Sequence, residues 1–473
     1  MSELSKQRKL QHLFLRAGFG AGINEIQKHL NSSPEKTAEI LLNNSLHYAE
    51  LELKFNQKLQ EKDSLPLNPK ELSKKEKKQF QKQSRENLKE LNISWINKMC
   101  NDKSVLRERM TLFWHGHFAC KSRVALFMKN QNNTLRKHAL GNFADLLKSI
   151  SKDPAMLQFL NNQQNRKSSP NENFARELLE LFTLGRGNYS EMDIKEAARA
   201  FTGWGFDKNG EFKDRKKLHD EDEKKFMGVS GNLDGNNILD IILDNRKTAE
   251  HITKKLYAYF VNENINKEIT NYLSKEYYES GYDTGKLMKR IFTSDWFYNK
   301  ENIGVKIKSP VDLICGLKKS FGLDFENPES LLVIQKNLGQ TLLHPPNVAG
   351  WPGGRSWIDS SSLMFRMKLP EYIFLSAGRG FDYEINSGKN SKRKEKFPVK
   401  NFKVKSDMSG FLSAFGKFSG DELTDKLCEY LLQSDAGNET KKLVKKYSDY
   451  SGKENSIESM TMRILSLPEY QLC

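Results

Sequence analysis

The stretch "SSPNENFARELLELFTLGRG", Ser168–Gly187, decides the fold class, because its apolar residues recur at helical spacing. Four ionisable residues, Glu172, Arg176, Glu177 and Glu180, lie among these apolar positions. The serine, proline and glutamate at its start and the glycine at its end are the signals that begin and end a helix. The pattern predicts a helix over 170–184, in which Ser169 is the N-cap, Pro170 takes the first position and Glu172 completes a capping box.

The charges of this helix have two interpretations. Glu172, Arg176 and Glu180 follow i,i+4 spacing, so they can form a ladder of surface ion pairs that needs no functional explanation. Glu177 forms a second polar pair with Asn173, nearer the apolar face. Paired carboxylates can act as general acid and base or bind a hard cation. Glu177 is therefore the strongest functional candidate in the stretch.

Helical periodicity dominates the rest of the chain, and strand signals are few. The fold class predicted is mainly α: a large multi-helix single unit with irregular loops, little β structure and a small C-terminal helical segment. Residues 205–236 read as loop or short hairpin, and the segment 338–366 opens as a turn-rich loop. Helices are expected over 33–44, 104–118, 135–160 with a break before Pro154, 190–204, 248–263, 284–297, 309–322 and within 408–472.

Composition shifts suggest three parts of the chain. We expect a helical core domain over 1–370, which contains a Lys/Gln-rich insertion at 45–90 that is either extended or helical. A basic linker is predicted over 385–406. The last part, 407–473, is predicted to be a helical segment that packs on the core.

Composition describes a globular protein with polar insertions. The 473 residues carry a net charge of +16, and the mean hydropathy is −0.69, yet 28 Phe, 15 Tyr and 6 Trp can fill a core. The lysines are scattered, and their densest runs, 70–89 and 389–405, lie in predicted loops. Because this charge forms no stripe interleaved with aromatics, a nucleic-acid partner is the weakest function class.

Cysteine use and the N-terminus bear on the compartment. The five cysteines are far apart and have no CxxC spacing, which argues against a disulfide framework and against a structural zinc site. No apolar run reaches the length of a signal peptide or a membrane span. The sequence thus favours a cytoplasmic protein without a membrane span, and an envelope-associated location is the alternative.

The segment "FWHGHF" carries two histidines, His115 and His117. On a strand they would share a face, as metal ligands do, whereas on a helix they would diverge by roughly 200°. Helical sequence leads into them, so packing among Phe113, Trp114 and Phe118 is the competing interpretation.

Three further segments offer candidates. Arg199 precedes "FTGWG" and can either receive an anion or form a salt bridge to a neighbouring helix. His219 lies in a polar loop and is expected to be exposed. The proline- and glycine-rich "HPPNVAGWPGG" is stiff, so His344, Asn347 and Trp351 suit a rigid binding wall, or a loop that seals the core.

Several of these stretches together resemble one bacterial family, catalogued as domain of unknown function 1800. They are "QHLFLRAGFG" (11–20), "FWHGHF" (113–118), "NENFARELLELFTLGRGNYSEMDIKEAARAFTGW" (171–204) and "PPNVAGWPGGRSW" (345–357). The terminal "LSLPEYQL" also resembles the family's ending. The resemblance implies one helical unit but no activity and no catalytic residues. It further implies a partner, because members are often encoded beside the domain of unknown function 1501 family, which resembles sulfatase- and phosphatase-type hydrolases.

Two function classes follow. In the first, an enzyme performs a metal-assisted or acid/base reaction on a polar substrate in one shared cavity. In the second, a helical scaffold or accessory protein for the hydrolase-like partner uses the same residues in buried salt bridges. The candidates for the enzyme are Glu177, Glu172, Arg176, Arg199 and His219 as catalytic groups, Arg16, Trp204, Asn347 and Trp351 as substrate contacts, and His115, His117 and His344 as ligands of a divalent metal.

Overall fold

Helices make up most of the structure, a computed structural model that describes residues 4–52, 73–378 and 402–473. In those ranges there are 21 α-helices and six three-residue strands, so the mainly α prediction is confirmed. The helices are α1 Lys6–Ala17, α2 Ile23–His29, α3 Pro34–Asn44, α4 Lys74–Asn101, α5 Val105–His117, α6 Ala125–His138, α7 Phe143–Ser151, α8 Pro154–Phe159, α9 Asn173–Glu177, α10 Glu191–Ala200, α11 Gly235–Asp244, α12 Arg246–Phe260, α13 Lys267–Glu279, α14 Thr284–Phe292, α15 Pro310–Phe321, α16 Glu329–Leu338, α17 Ser360–Ser376, α18 Ser409–Phe415, α19 Gly420–Leu431, α20 Asn438–Lys446 and α21 Lys453–Leu465.

The strands form three small antiparallel pairs. Two of them are hairpins within the segment predicted as loop or hairpin, and the third joins distant parts of the chain. The pairs are β1 Trp204–Phe206 with β2 Phe212–Asp214, β3 Lys224–Phe226 with β4 Val229–Gly231, and β5 Leu323–Phe325 with β6 Val404–Ser406.

Local capping chemistry explains several helix starts. The Ser33 hydroxyl accepts from the Lys36 N–H, and Pro34 takes the first position of α3, as predicted. Ser190 and Asp193 form the predicted capping box of α10. The sequence therefore predicts correctly these two helix starts, each of which combines a capping residue with apolar residues at helical spacing.

The start predicted for the helix at 170 is wrong. Ser169 pairs with Arg166 in a tight bridge and caps nothing, and Glu172, the residue before α9, makes no side-chain cap. The Asn171 side chain accepts from the Asn173 N–H, a local turn that delays the helix to Asn173. After Glu177 the chain widens into a π-helix, Leu178–Thr183, a form that the apolar spacing does not distinguish from an α-helix.

Two predicted loop regions also differ. Residues 74–89 of the basic run are helical, because Ser73 and Glu76 form a capping box that begins α4 inside the predicted insertion. Val404–Ser406, at the end of the predicted linker, is strand β6 and pairs with β5. The remaining linker residues up to 401, and residues 53–72 of the insertion, lie outside the described residues.

Helix α5 lies at the centre of the core, and all of its residues except Gly116 are buried. It packs against α1, α3, α4 and α6. Helices of the C-terminal part pack on the rest of the molecule, α19 against α1 and α21 against α17. None of the helices in the described ranges is both long and apolar enough to cross a membrane.

Candidate functional site

The C-terminal turn of α5 is where the segments "FWHGHF" and "HPPNVAGWPGG" meet. The His115 Nε2 atom accepts a hydrogen bond of 3.1 Å from the Leu343 N–H. The His115 ring lies between two indoles, with ring centroids 5.2 Å from Trp95 and 5.6 Å from Trp351. His115 therefore fixes the start of the segment 344–356, which we call the 344–356 loop.

A glycine contact fixes the same loop further along. Gly350 has a φ of +77°, and a Cβ there would lie 2.3 Å from the Gly116 carbonyl oxygen. Only glycine fits such an approach in this conformation. The loop is thus pressed directly onto the last turn of α5.

His117 points to a different neighbour, the π-helix. Its Nε2 atom donates to the Phe182 carbonyl at 3.1 Å, and its ring packs on Phe113, Trp114 and Phe118 as the packing interpretation predicted. The Nδ1 atom is buried without a hydrogen-bond partner.

Two side chains of α12 complete the end of this π-helix. The Leu181 carbonyl accepts from His251 Nε2 at 3.2 Å and from Lys255 Nζ at 3.4 Å. The last carbonyls of a helix have no partner within the helix, and cationic or imidazole donors stabilise them. His117, His251 and Lys255 act together as this cap.

Burial sets the protonation of these groups. It holds the pKa of His117 well below the usual value, and the nearby Lys255 and His251 act in the same direction. Burial also lowers the pKa of His251 to about 4, of Lys255 to about 8 and of His115 to about 3. The three imidazoles are therefore neutral at pH 7.

Arg16 belongs to an internal network. Arg109 of α5 donates to the Leu15 and Arg16 carbonyls at the end of α1 and forms a buried ion pair with Asp312. Arg16 itself is 1% exposed and donates to the carbonyls of Asn302 and Cys473. The guanidinium of Arg16 thus ties α1 to the last residue of the chain.

The charged side chains of Ser168–Gly187 do not form one continuous ladder. Arg176 pairs with Glu172 at 3.0 Å, as predicted, but its second partner is Glu191 of α10 and not Glu180. Glu180 pairs with Arg186 and accepts from the Tyr189 hydroxyl.

Glu177 is half-buried, and its pKa is raised by burial and by the nearby Glu180. The predicted pairing with Asn173 is wrong, because the Asn173 amide donates to the Leu160 carbonyl instead.

Arg199 and His219 lie together on the other side of α10. Arg199 forms salt bridges with Asp220 at 2.8 Å and with Glu196 at 3.0 Å, so two carboxylates already occupy its guanidinium. His219 is buried, not exposed as expected, and its Nδ1 atom hydrogen-bonds the Thr202 carbonyl at 2.9 Å. The loop folds back onto α10 because these pairs satisfy its polar groups.

Trp204, a predicted substrate contact, is 1% exposed. Its ring packs edge-on against Phe201 and Phe212, and a Cβ at Gly235 would lie 2.4 Å from it. Trp204 is a core residue of the first hairpin.

The two α5 histidines among the predicted metal ligands bond to different segments of the protein. The Nε2 atoms of His115 and His117 are engaged with a backbone N–H and a backbone carbonyl on different segments, while His344 is exposed. Within 4–52, 73–378 and 402–473, no three or more His, Cys, Asp or Glu side chains are grouped so that they could hold a metal ion.

A family model described as "Protein of unknown function (DUF1800)" matches residues 12–472. The chain belongs to this family. The matched range includes every segment of the site described above. Comparison with curated proteins and with solved structures gave no match.

Two surface clefts of this DUF1800 chain lie away from the predicted residues. One cleft of about 480 Å³ lies between α13 and α14, lined by Glu276, Lys286 and Arg290 among others. Another, of about 410 Å³, lies between α12 and α13 and includes Arg246 and Glu250. Neither contains any of the twelve candidates.

Sequence reasoning missed the groups that organise this site. They are Arg109, the buried pair Glu108 and Arg136, and the two donors His251 and Lys255. The sequence does indicate Arg109 and Glu108, because the run Arg107-Glu108-Arg109 lies in an otherwise apolar helix. Charged side chains that are buried in such a helix must be paired. For His251 and Lys255 the only signal was their one-turn spacing on a predicted helix.

Proposed function

We propose that this DUF1800 chain is a non-catalytic helical scaffold that binds a hydrolase-like partner of the domain of unknown function 1501 family through the 344–356 loop. The observation that carries the proposal is that the candidate polar groups bond to other groups of the protein itself. His115, His117 and Arg16 bond to backbone groups, and Arg199 bonds to two carboxylates. These side chains hold segments together, which is the expected role of such residues in a scaffold.

The 344–356 loop supplies a surface for binding. Two buried contacts hold the loop on α5: the hydrogen bond from Leu343 to His115 and the close approach of Gly350 to Gly116. The outer residues of the loop face solvent. A loop held in one conformation loses little entropy when it binds, so its affinity is higher than that of a mobile loop. The exposed residues are His344, Pro346, Asn347, Ala349, Pro352, Arg355 and Ser356.

The direct test is titration calorimetry with the purified chain and a purified hydrolase-like partner. Arg355→Ala and Pro346→Ala should each weaken the complex about tenfold, which corresponds to about 1.4 kcal/mol, without changing the melting temperature. Leu46→Ala, at an exposed site outside the loop, is the control and should bind as the native chain does. Absence of a complex at micromolar concentrations refutes the scaffold, and unchanged binding by both loop variants refutes the loop.

A second proposal, acid/base catalysis on a polar substrate, rests on Glu177. This half-buried carboxyl has a raised pKa and lies close to Glu180, an arrangement that suits a general acid or base. Turnover of a polar substrate that is lost in Glu177→Gln and kept in Glu172→Gln supports it. Glu172 is the control because it is the surface partner of Arg176. Equal turnover by the native chain and Glu177→Gln excludes this role.

A further inference from the structure

A buried arginine of α17, Arg366, uses only part of its hydrogen-bonding capacity. Its side chain is inaccessible to solvent, and its Nη1 atom donates to the Lys308 carbonyl at 2.9 Å and, more distantly, to the Gln471 Oε1 atom at 3.5 Å. Its Nε and Nη2 atoms are buried and have no hydrogen-bond partner among the described residues. These two atoms form one edge of the planar guanidinium, whose N–H groups are arranged to bind an anion.

The neighbouring side chain offers a third unpaired donor. Gln471 is buried, its Oε1 atom faces the Arg366 guanidinium, and its Nε2 atom has no hydrogen-bond partner within the part of the chain that the structure describes. The Gln471 backbone is fixed, because its carbonyl accepts from the Lys308 N–H at 2.8 Å. All three unpaired groups are donors, so the arrangement suits an acceptor and not a cation.

The positive charge of Arg366 lacks a carboxylate of its own. Burial lowers the pKa of Arg366 to about 10, against the charge of Asp312, so the guanidinium stays charged at pH 7. Asp312 is itself paired with Arg109. Lys308 adds a second buried cation, whose Nζ atom donates to the Tyr470 carbonyl at 2.7 Å. A buried charge without a counter-charge is strongly unfavourable, and we therefore expect a negative charge beside Arg366.

The other buried arginines are better satisfied. Arg136 and Arg109 each form an ion pair with a carboxylate, and Arg107 donates to three backbone carbonyls. Arg16 donates to two backbone carbonyls. Among these five arginines of the described ranges, only Arg366 has two buried nitrogens without a partner.

We propose that a small inorganic anion, chloride under ordinary ionic conditions, binds between Arg366 and Gln471. The anion accepts from Nε and Nη2 of Arg366 and from Nε2 of Gln471, and its charge balances the guanidinium. Because both side chains are enclosed, a monatomic ion suits the position better than the carboxylate or phosphate of a larger molecule. The bound ion joins α17 to the final turn, Pro468–Gln471.

Urea denaturation of the full chain at increasing chloride concentration tests the proposal, with sodium gluconate added to keep the ionic strength constant. An ion that binds only the folded chain lowers the unfolding constant about tenfold for each tenfold rise in its concentration above the dissociation constant. The native chain should show this dependence. Arg366→Met keeps the length of the side chain but removes its charge and donors, so it should show none. Gln471→Leu removes one donor and should need several-fold more chloride.

Arg85→Met, at an exposed position of α4, is the matched control and should keep the native dependence on chloride. If Arg366→Met responds to chloride as the native chain does, the ion acts elsewhere and the proposal is wrong. A native chain whose unfolding constant does not change with chloride refutes it as well.

A crystal of the native chain grown in sodium bromide tests the same position without any variant, so a variant that fails to fold leaves the proposal testable. We expect an anomalous bromide peak at hydrogen-bonding distance from the Arg366 guanidinium. A water molecule at that position and no bromide peak would overturn the proposal, because neutral water would then satisfy the donors.

Discussion

Single glycines show how closely the 344–356 loop is fitted to α5. Gly350 and Gly353 have nearly equal φ angles, +77° and +74°, but a Cβ at Gly350 meets the Gly116 carbonyl while the space at Gly353 is open. Gly353→Ala should therefore cost only the backbone strain, about 1–3 kcal/mol, because a φ of +74° with a ψ of −171° is a conformation that is essentially restricted to glycine. Gly350→Ala adds a steric clash and should cost about 2 kcal/mol more, as measured by urea denaturation. Equal losses for the two variants would contradict the close contact.

His115 offers a second test at a single residue. His115→Phe keeps an aromatic ring between Trp95 and Trp351 but removes the acceptor of the buried Leu343 N–H. An unpaired buried donor costs about 1–3 kcal/mol, and we expect a loss of that size in the free energy of unfolding. His344→Phe, at an exposed position of the same loop, should be close to neutral. If His115→Phe is also neutral, the hydrogen bond is not structural.

At the scale of single residues, sequence patterns predicted packing contacts between neighbours in the sequence better than the hydrogen-bond partners of polar groups. The packing of His117 among Phe113, Trp114 and Phe118 followed from its helical context. The burial of His219 did not, because it depends on the Thr202 carbonyl, 17 positions away, and on a loop that folds back. Long-range partners of polar groups are set by tertiary packing, which local spacing does not encode.

At the scale of elements, a buried ion pair joins α4, α5 and α6. Glu108 accepts from Arg136 Nε at 2.6 Å and from Trp95 Nε1 at 2.9 Å, and both charged side chains are completely buried. Glu108→Gln removes the charge that compensates Arg136, so we expect a loss of about 3–5 kcal/mol in urea denaturation. Glu191→Gln, which breaks the exposed pair with Arg176, should leave stability within experimental error. A small loss for Glu108→Gln would indicate that Arg136 finds other partners.

Helices with clear capping residues were predicted correctly. Elements that depend on contacts with distant parts of the chain were not. Helix α3 and helix α10 begin at their predicted caps. The π-helix Leu178–Thr183 was missed, because its wider turn is stabilised by His117, His251 and Lys255 from two other helices. The strand β6 was missed because its partner β5 lies about 80 residues earlier in the chain.

For the whole molecule, the neutral buried histidines imply a sensitivity to acid. His115, His117 and His251 keep pKa values far below 6.5 when folded, mainly through burial. Above pH 6.5 they are neutral in both states and have no effect on stability. As the pH falls below 6.5, the unfolded chain binds protons that the folded chain does not, so stability falls until the folded pKa values, about 4 for His251 and about 3 for His115, are reached.

One buried carboxyl opposes this trend, and the balance can be measured. Burial raises the pKa of Asp153 to about 7, so this group favours the folded state more as the pH falls from 7 towards 4. His12 also has a pKa held well below its usual value by burial, and the raised pKa of the half-buried Glu177 acts in the same direction as Asp153. Because the buried histidines outnumber these carboxyls, we expect urea denaturation to show a net loss of stability between pH 7 and 4.5. His251→Asn should reduce the slope by about one proton. A slope that His251→Asn leaves unchanged would mean that His251 is protonated in the folded chain as in the unfolded chain, and hence that the cap of the π-helix is charged.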